Sequence, residues 1–367
     1  MKSVRWRSLI RLKHAWRRSG TEKLQRELAT SLPAFRDWVH DNHKAIRSTS
    51  SPEQAEYMSR VSELHAAVCR IADLPWLEGV FSPLVTDGRM AYYYGRVDRG
   101  GKCWFVKVAP PQHSRYRVYS ALVDGNLPTV GHRFECLAPE YTAWLDSVAA
   151  IYVFPYWPVL PEKIPGRHSS PLVAKGLAEF NLSVDESACS NEVGLRRLSL
   201  NLRPLRKKDF TRVGLTHGHG VDEYILRHRE IRDVWFKRRG VLEELPKGLM
   251  HGDFSLTNFC GLDGRLFLMD LDDACIGPLG GDLAWMLFYA ERIVDPNQRK
   301  RRIHKVMRRY SEACRKLGKP LDEGQALCAA QAVYYKNWLF PGRGTRSNIK
   351  NLRWRQEEAL RFLQELN

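Results

Sequence analysis

The pattern of apolar and polar positions divides the chain into a helical beginning, a strand-rich middle and a mostly helical remainder. The spacing of apolar residues predicts one helix that ends at about Arg47 and a second that ends at about Ala72. Ser51 is a good N-cap for the second helix, and Pro52 suits its first position. From Val80 onward, β-branched and aromatic residues predominate, which favours strands.

The strand-rich part begins with three predicted antiparallel strands in residues 80–110, joined by glycine-containing turns. A helix over 114–123 and two more strands, 133–137 and 150–157, would complete a five-stranded sheet with one helix. Beyond residue 161 the pattern is mainly helical. A β-rich part followed by a helical part predicts an α+β fold with two lobes.

We therefore expect three domains. Residues 1–75 form a basic helical N-terminal extension, 76–158 a β-rich lobe that binds a nucleotide, and 159–367 a mainly helical lobe with the catalytic, metal and acceptor sites. Apolar residues make up 44% of the chain, but no run approaches the ~18 residues of a membrane-spanning helix. The N-terminus also lacks the apolar core of a secretory signal, so a cytoplasmic location is expected.

The charge balance points to anionic partners. There are 58 Lys and Arg against 41 Asp and Glu, a net charge of +17. Such a balance favours phosphorylated substrates, nucleic acid or an acidic membrane surface. Residues 1–20 carry seven Lys or Arg and no acid. They fit either a helix lying on anionic lipid, at the inner face of the membrane, or a solvated tail, and both alternatives stay open.

The cysteines are scattered singly. There are eight, and none forms a C-x-x-C pair. This argues against a structural zinc site or a disulfide framework and favours reduced thiols.

The strongest chemical signal lies between residues 249 and 288. His251 and Gly252 precede Asp253, and Asn258 follows after four residues. A predicted turn at Asp263-Gly264 then leads into an apolar strand, which delivers Asp270. The sequence thus presents a carboxylate, an amide and a second carboxylate from a loop and a strand end.

Phosphoryl transfer requires this set of groups. An acceptor hydroxyl needs a carboxylate that orients it and takes its proton. Mg²⁺ prefers oxygen ligands and is held by one or two protein groups together with the phosphates. We therefore expect Asp253 to act as the base and Asn258 and Asp270 to bind the metal.

The H-G-D-x-x-x-x-N run, the following Met269-Asp270 and a later G-D-L-A run at 281–284 resemble the aminoglycoside phosphotransferase and choline kinase superfamily. These are relatives of protein kinases, whose loop reads H-R-D-x-x-x-x-N. The resemblance implies a two-lobed kinase-like fold, Mg²⁺ and ATP as cofactors with GTP as an alternative, and transfer to a hydroxyl. It also implies that His251 supports the site and that Asp282 braces the loop. Asp282 additionally stands where an N-cap of the helix predicted at 283–291 would lie.

Upstream of this segment, Lys107 resembles the kinase lysine that contacts the α- and β-phosphates. Kinases usually hold this lysine with a glutamate of the next helix, but residues 110–130 contain none, which leaves Glu135 or Glu140 as substitutes. The glycine-rich loop is reduced to one glycine, Gly88, expected to contact the nucleotide.

The acceptor is predicted from charge. A chain at +17 is a poor match for polycationic aminoglycosides. An anionic, membrane-attached sugar such as a lipopolysaccharide core fits better, and kinases that act on such cores are similar in fold. Two alternatives stay open: a non-catalytic kinase-like module that binds an anionic polymer, and a nucleic-acid binder. The intact motif set argues against the first, and the lack of a nucleic-acid motif argues against the second.

Overall fold

The computed structural model describes residues 19–48, 50–77, 79–85, 91–156, 170–184, 195–211, 220–341 and 349–366. Most of the basic segment 1–20, and Gly88 with its loop, lie outside these residues. The helices are α1 (Ser19–Ile46), α2 (Pro52–Ile71), α3 (His113–Val123), α4 (Pro171–Asn181), α5 (Lys207–Thr211), α6 (Val221–Glu243), α7 (Ala284–Ala290), α8 (Pro296–Lys316), α9 (Glu323–Trp338) and α10 (Ile349–Glu365). The strands are β1 (Val80–Leu84), β2 (Tyr93–Arg99), β3 (Lys102–Ala109), β4 (Phe134–Cys136), β5 (Tyr141–Leu145), β6 (Ala149–Pro155), β7 (Lys247–Met250), β8 (Phe259–Leu262), β9 (Arg265–Leu268) and β10 (Cys275–Pro278).

This set of helices and strands confirms the predicted α+β class and the predicted helices that precede the sheet. The chain divides into two compact units. One combines residues 1–124 with 138–160, and the other combines 125–137 with 161–367, as far as they are described. The three predicted domains and their roles stay a prediction. Among the described helices, none has the length and the apolar character needed to cross a membrane.

The first unit contains a five-stranded antiparallel sheet in the order β1-β2-β3-β6-β5. Helices α1 and α2 pack against each other, and their apolar side chains share one core with the sheet. The predicted start of α2 is confirmed: the Ser51 side chain accepts a hydrogen bond from the Gln54 amide at 3.0 Å, and Pro52 is the first helical residue.

One strand of this sheet was predicted wrongly. Residues 134–136 do not join it; they form β4, which pairs in parallel with β9 in the second unit. The fifth strand is β5, which turns tightly into β6 with Ser147 at a φ of 61°. The short turn contains no glycine or proline, so the sequence carries little signal that predicts it. The parallel partner of β4 lies more than one hundred positions away, which local pattern does not reveal.

The second unit contains two small sheets, with strand orders β4-β9-β8 and β10-β7. The predicted hairpin turn is confirmed: Asp263 and Gly264 adopt φ values of 47° and 73°, as a tight turn between β8 and β9 requires. Helix α4 packs on β9 so closely that a Cβ at Gly176 would overlap the Leu266 side chain. This contact fixes β9, the strand that leads to Asp270.

Candidate active site

The loop after β7 begins with His251, Gly252 and Asp253. Gly252 has a φ of 82°, and a Cβ at this position would overlap the carbonyl oxygen of Asp273. A side chain is therefore excluded by both conformation and space. The glycine of the H-G-D run is needed so that the loop can turn against residue 273.

Asp253 and Asn258 face each other across this loop. The Asn258 Nδ2 donates to the Asp253 backbone carbonyl at 2.9 Å and to its carboxylate at 3.2 Å. The Asp253 carbonyl also accepts from the Ser255 amide at 2.8 Å, which closes a tight turn. Since the amide nitrogen of Asn258 is engaged with Asp253, its Oδ1 points elsewhere and accepts from the Thr257 hydroxyl at 3.2 Å.

Asp270 is fixed to the same loop through its neighbour Met269. The Met269 amide donates to the Asn258 carbonyl at 2.9 Å, and its carbonyl lies 2.8 Å from His251 Nε2. Asp270 itself has φ 58° and ψ 64°, a left-handed conformation that is uncommon outside glycine. Such a conformation costs free energy and is frequent at functional sites. The structure thus places the three residues of the predicted set together.

Asp282 lies behind the loop and is 3% exposed. Its carboxylate accepts from the backbone amides of His251 and Gly252, both at 2.9 Å, and from Asn181 Nδ2 at 3.0 Å. Burial raises the pKa of the Asp282 carboxyl, and the hydrogen bonds from these donors oppose that rise. The expected N-cap role was wrong: Leu283 occupies the N-cap of α7, with no side-chain capping bond.

Two residues of this support were missed by the sequence reading. Asn181, at the end of α4, bridges Asp282 and the Leu249 carbonyl, which its Nδ2 approaches to 2.6 Å. The Tyr310 hydroxyl of α8 donates to Asn181 Oδ1 at 2.6 Å. A polar residue at the end of an apolar helix is a weak signal, because many such residues are simply exposed.

The carboxylates give this loop a negative electrostatic potential. Burial is the main cause that raises the pKa of Asp253, and the negative charges of Asp273 and Asp270 raise it further, while His251 and Asn258 lower it. A bound cation would relieve the repulsion between these like charges. The oxygens of Asn258 and Asp270 are the hard ligands that Mg²⁺ prefers, so the residues fit the ion. In the described part of the chain, no group of three or more His, Cys, Asp or Glu is placed to hold a metal.

A basic side chain, that of Arg196, lies beside Asp273. Arg196 Nη2 lies 2.9 Å from Asp273 Oδ1 and 3.2 Å from the Asp273 carbonyl oxygen. The backbone at Arg196 is held along β10, because its carbonyl accepts from the Ile276 amide at 2.9 Å. About half of the Arg196 side chain stays exposed. Nothing in the sequence indicated this residue, which is 77 positions from Asp273.

In the first unit, Lys107 lies on β3 and is 6% exposed. Its Nζ lies 6.0 Å from the centroid of the Tyr152 ring on β6. The two glutamates considered as its partners have other contacts: Glu140 accepts from Trp104 Nε1 at 2.9 Å, and Glu135 forms an ion pair with Arg265 in the second unit at 3.2 Å.

Residues 91–312 match the phosphotransferase enzyme family (APH). The chain belongs to this family. It is therefore a phosphotransferase that uses a nucleoside triphosphate and an alcohol group as acceptor. Family membership also confirms the predicted relationship and the kinase-like fold.

Several solved structures are similar to the chain. Aminoglycoside phosphotransferase APH(4)-Ia has a TM-score of 0.46 at 13% identity, covering 82% of this chain and 98% of its own. The GDP complex of aminoglycoside 2'-phosphotransferase-IIIa has a TM-score of 0.46 at 17% identity, with 83% and 97% covered. Amicoumacin kinase hAmiN, in complex with AMP-PNP, Ca²⁺ and Ami, has a TM-score of 0.42 at 12% identity, with 78% and 87% covered. No curated protein matches the chain.

Proposed function

We propose that Asp253 is the general base of the transfer and that Asn258 and Asp270 hold Mg²⁺. The observation that carries this assignment is the pair of hydrogen bonds by which Asn258 Nδ2 holds Asp253, at 2.9 and 3.2 Å. They orient the carboxylate and turn the Asn258 oxygen toward a different partner. A bound Mg²⁺ would neutralise the charge that develops on the phosphate oxygens.

In the proposed reaction the acceptor oxygen attacks the γ-phosphorus while its proton passes to the Asp253 carboxylate. The new bond forms between that oxygen and phosphorus, and the bond from phosphorus to the β–γ bridging oxygen breaks. The nucleoside diphosphate leaves with the bonding electrons. His251 and Asp282 position the loop without contacting the reacting atoms: the first ties it to Met269, and the second to Asn181.

We assign the nucleotide phosphates to Lys107 in the first unit, with Gly88 as a further contact. A lysine that is 6% exposed in an apolar strand loses solvation, and an anionic ligand offsets that cost. ATP is the proposed donor, with GTP as the alternative.

For the acceptor we propose a hydroxyl of an anionic envelope glycan or glycolipid, of the lipopolysaccharide-core type, reached from the cytoplasmic side. Two observations support it. The chain carries a net charge of +17. About half of the Arg196 side chain is exposed beside Asp273, with which it pairs, and in this proposal the exposed part of its guanidinium would also contact a phosphate or carboxylate on the acceptor.

The test is transfer of label from γ-labelled ATP or GTP with Mg²⁺, offered in parallel to extracted lipopolysaccharide, sugar phosphates, kanamycin and choline. The variant Asp253→Asn keeps the side-chain shape, and Asp263→Asn in the hairpin turn serves as the matched control. Loss of the base should lower the rate by about 10²–10⁴-fold, whereas the control should match the parent protein.

The outcomes separate the two parts of the proposal. Transfer to the anionic sugars that Asp253→Asn abolishes supports both. Transfer only to kanamycin or choline overturns the anionic acceptor but leaves the base assignment intact. A rate in Asp253→Asn equal to that of the control overturns the base assignment.

A further inference from the structure

Helix α8 combines a buried apolar side with a strongly basic exterior. It contains nine Lys or Arg residues and one acidic residue, Glu312. The buried side packs mainly on α4 and α9 and consists of Val306, Met307, Tyr310, Ser311, Ala313 and Cys314. The helix is therefore anchored in the second unit, and its basic side chains are held on a rigid support.

Five basic side chains of α8 line one open cavity of about 570 Å³ together with Glu323. We name them the α8 basic face: Lys300, Arg301, His304, Lys305 and Arg308. They follow one another at steps of one or three residues, so they share one side of the helix. Glu323 is engaged with His304 at 2.5 Å.

The positive charge of this face exceeds the negative charge that lines the same cavity, within the part of the chain that the structure describes. No ion pair there joins Lys300, Lys305 or Arg308 to a carboxylate, although all three are exposed. Cations clustered in this way repel one another and raise the local potential, which an anionic partner would relieve. Packing of α8 does not require them, since its contacts are made by the opposite side.

We propose that the α8 basic face binds the surface of an anionic lipid bilayer. The positive charge of the face indicates an anionic partner, and the straight helix indicates that this partner presents a flat surface. The α8 basic face runs from residue 300 to residue 308, about 12 Å along a helix of 21 residues, so its charges form a short straight row suited to a flat surface. Exposed apolar residues lie just beyond the two ends of the helix, Val294 at 92% and Leu317 at 48% exposure, as at membrane interfaces where basic and apolar groups cooperate.

Nucleic acid is the less favoured partner. Proteins that bind single strands combine basic grooves with exposed aromatic rings on which bases stack. Among the described residues of α8, the only Phe, Tyr or Trp is Tyr310, and it is buried. The inference does not depend on which acceptor the enzyme uses, because it concerns only adhesion to a surface.

The test is co-sedimentation of the full chain with vesicles of phosphatidylcholine alone, or with part of the lipid replaced by phosphatidylglycerol. The variant Lys305→Gln/Arg308→Gln removes two charges from the α8 basic face and keeps good helix formers. The control Arg229→Gln/Lys237→Gln removes the same two residue types from exposed positions of α6. Label transfer to a water-soluble acceptor is measured for both variants.

The parent chain should bind only the anionic vesicles, less tightly as salt rises, and the α8 variant should lose roughly 30-fold in partition coefficient. The α6 control should keep parent-like binding, and both variants should keep transfer activity. Equal loss in both variants would show a general charge effect and overturn the proposal. Retained vesicle binding in the α8 variant would show that another surface of the chain binds the membrane, which would overturn the proposal. Tighter binding of the parent chain to duplex DNA than to vesicles would favour nucleic acid as the partner and would also overturn it.

Discussion

The Asp282 carboxylate accepts a hydrogen bond from the backbone amide of His251 at 2.9 Å, and its other oxygen accepts one from Gly252 at the same distance. Both oxygens act as acceptors, so an amide at this position must turn its NH₂ group toward a backbone N–H. We expect Asp282→Asn to lower the free energy of unfolding by about 2 kcal/mol and to reduce kcat. Denaturant unfolding and steady-state rates measure the two effects.

Asp263→Asn is the matched control, because asparagine tolerates the left-handed conformation of the hairpin turn. It should keep parent-like stability and rate. If Asp282→Asn also behaved like the parent protein, the carboxylate would not organise the loop.

Asn258 is expected to determine how much Mg²⁺ the enzyme needs. Its Nδ2 orients Asp253, and its oxygen is the proposed metal ligand. Asn258→Ala should raise the Mg²⁺ concentration for half-maximal rate by at least about tenfold and should lower kcat as well. A Mg²⁺ titration of the rate tests this. Asn201→Ala, at an exposed position, is the control, and an unchanged Mg²⁺ requirement in Asn258→Ala would remove the ligand role.

Lys107 is expected to separate stability from activity. Methionine is similar to lysine in length and carries no charge into this site, which is 6% exposed, so Lys107→Met should keep the free energy of unfolding close to that of the parent. Loss of a charged hydrogen bond to phosphate should raise the KM for the nucleotide by about 10- to 100-fold. Lys102→Met, at the exposed start of the same strand, is the control for charge and hydrophobicity. A destabilised Lys107→Met with an unchanged KM would show that the lysine is structural.

Local signals were sufficient wherever a few adjacent residues determine the conformation. Ser51 and Pro52 start α2, and Asp263-Gly264 makes the β8–β9 turn, because capping and left-handed turns depend on the residues themselves. The H-G-D-x-x-x-x-N run likewise lies within one loop, so its spacing already indicated that Asp253 and Asn258 would meet.

The sequence was uninformative where distant segments come together. Asn181 reaches Asp282 across 101 positions, and Arg196 reaches Asp273 across 77. These contacts depend on how α4 and β10 pack, which neither hydrophobic periodicity nor turn residues specify. The parallel pairing of β4 with β9 was missed for the same reason.

His228 on α6 is expected to make stability depend on pH. Its side chain is buried, Nε2 lies 2.9 Å from the Arg203 carbonyl oxygen, and Tyr224 stacks at 6.5 Å. Burial is the main cause that lowers the pKa of His228 below 6.5, and the charge of Arg232 adds to it, although the bond to Arg203 opposes both. When the pH falls below about 6.5, the unfolded chain therefore binds a proton before the folded one does. The contribution of the neutral ring to stability is complete above that pH and is lost as the pH falls toward the lowered value.

Denaturant unfolding between about pH 8 and pH 5 tests this for the parent chain, His228→Gln and His132→Gln. His132→Gln replaces an exposed histidine and is the matched control for the substitution itself. His228→Gln should be less stable than the parent at pH 8, because the packing of the imidazole ring is lost. The difference in the free energy of unfolding between the two proteins should narrow as the pH falls. A difference that stays constant over the whole range would mean that His228 binds its proton equally well in the folded and unfolded chains.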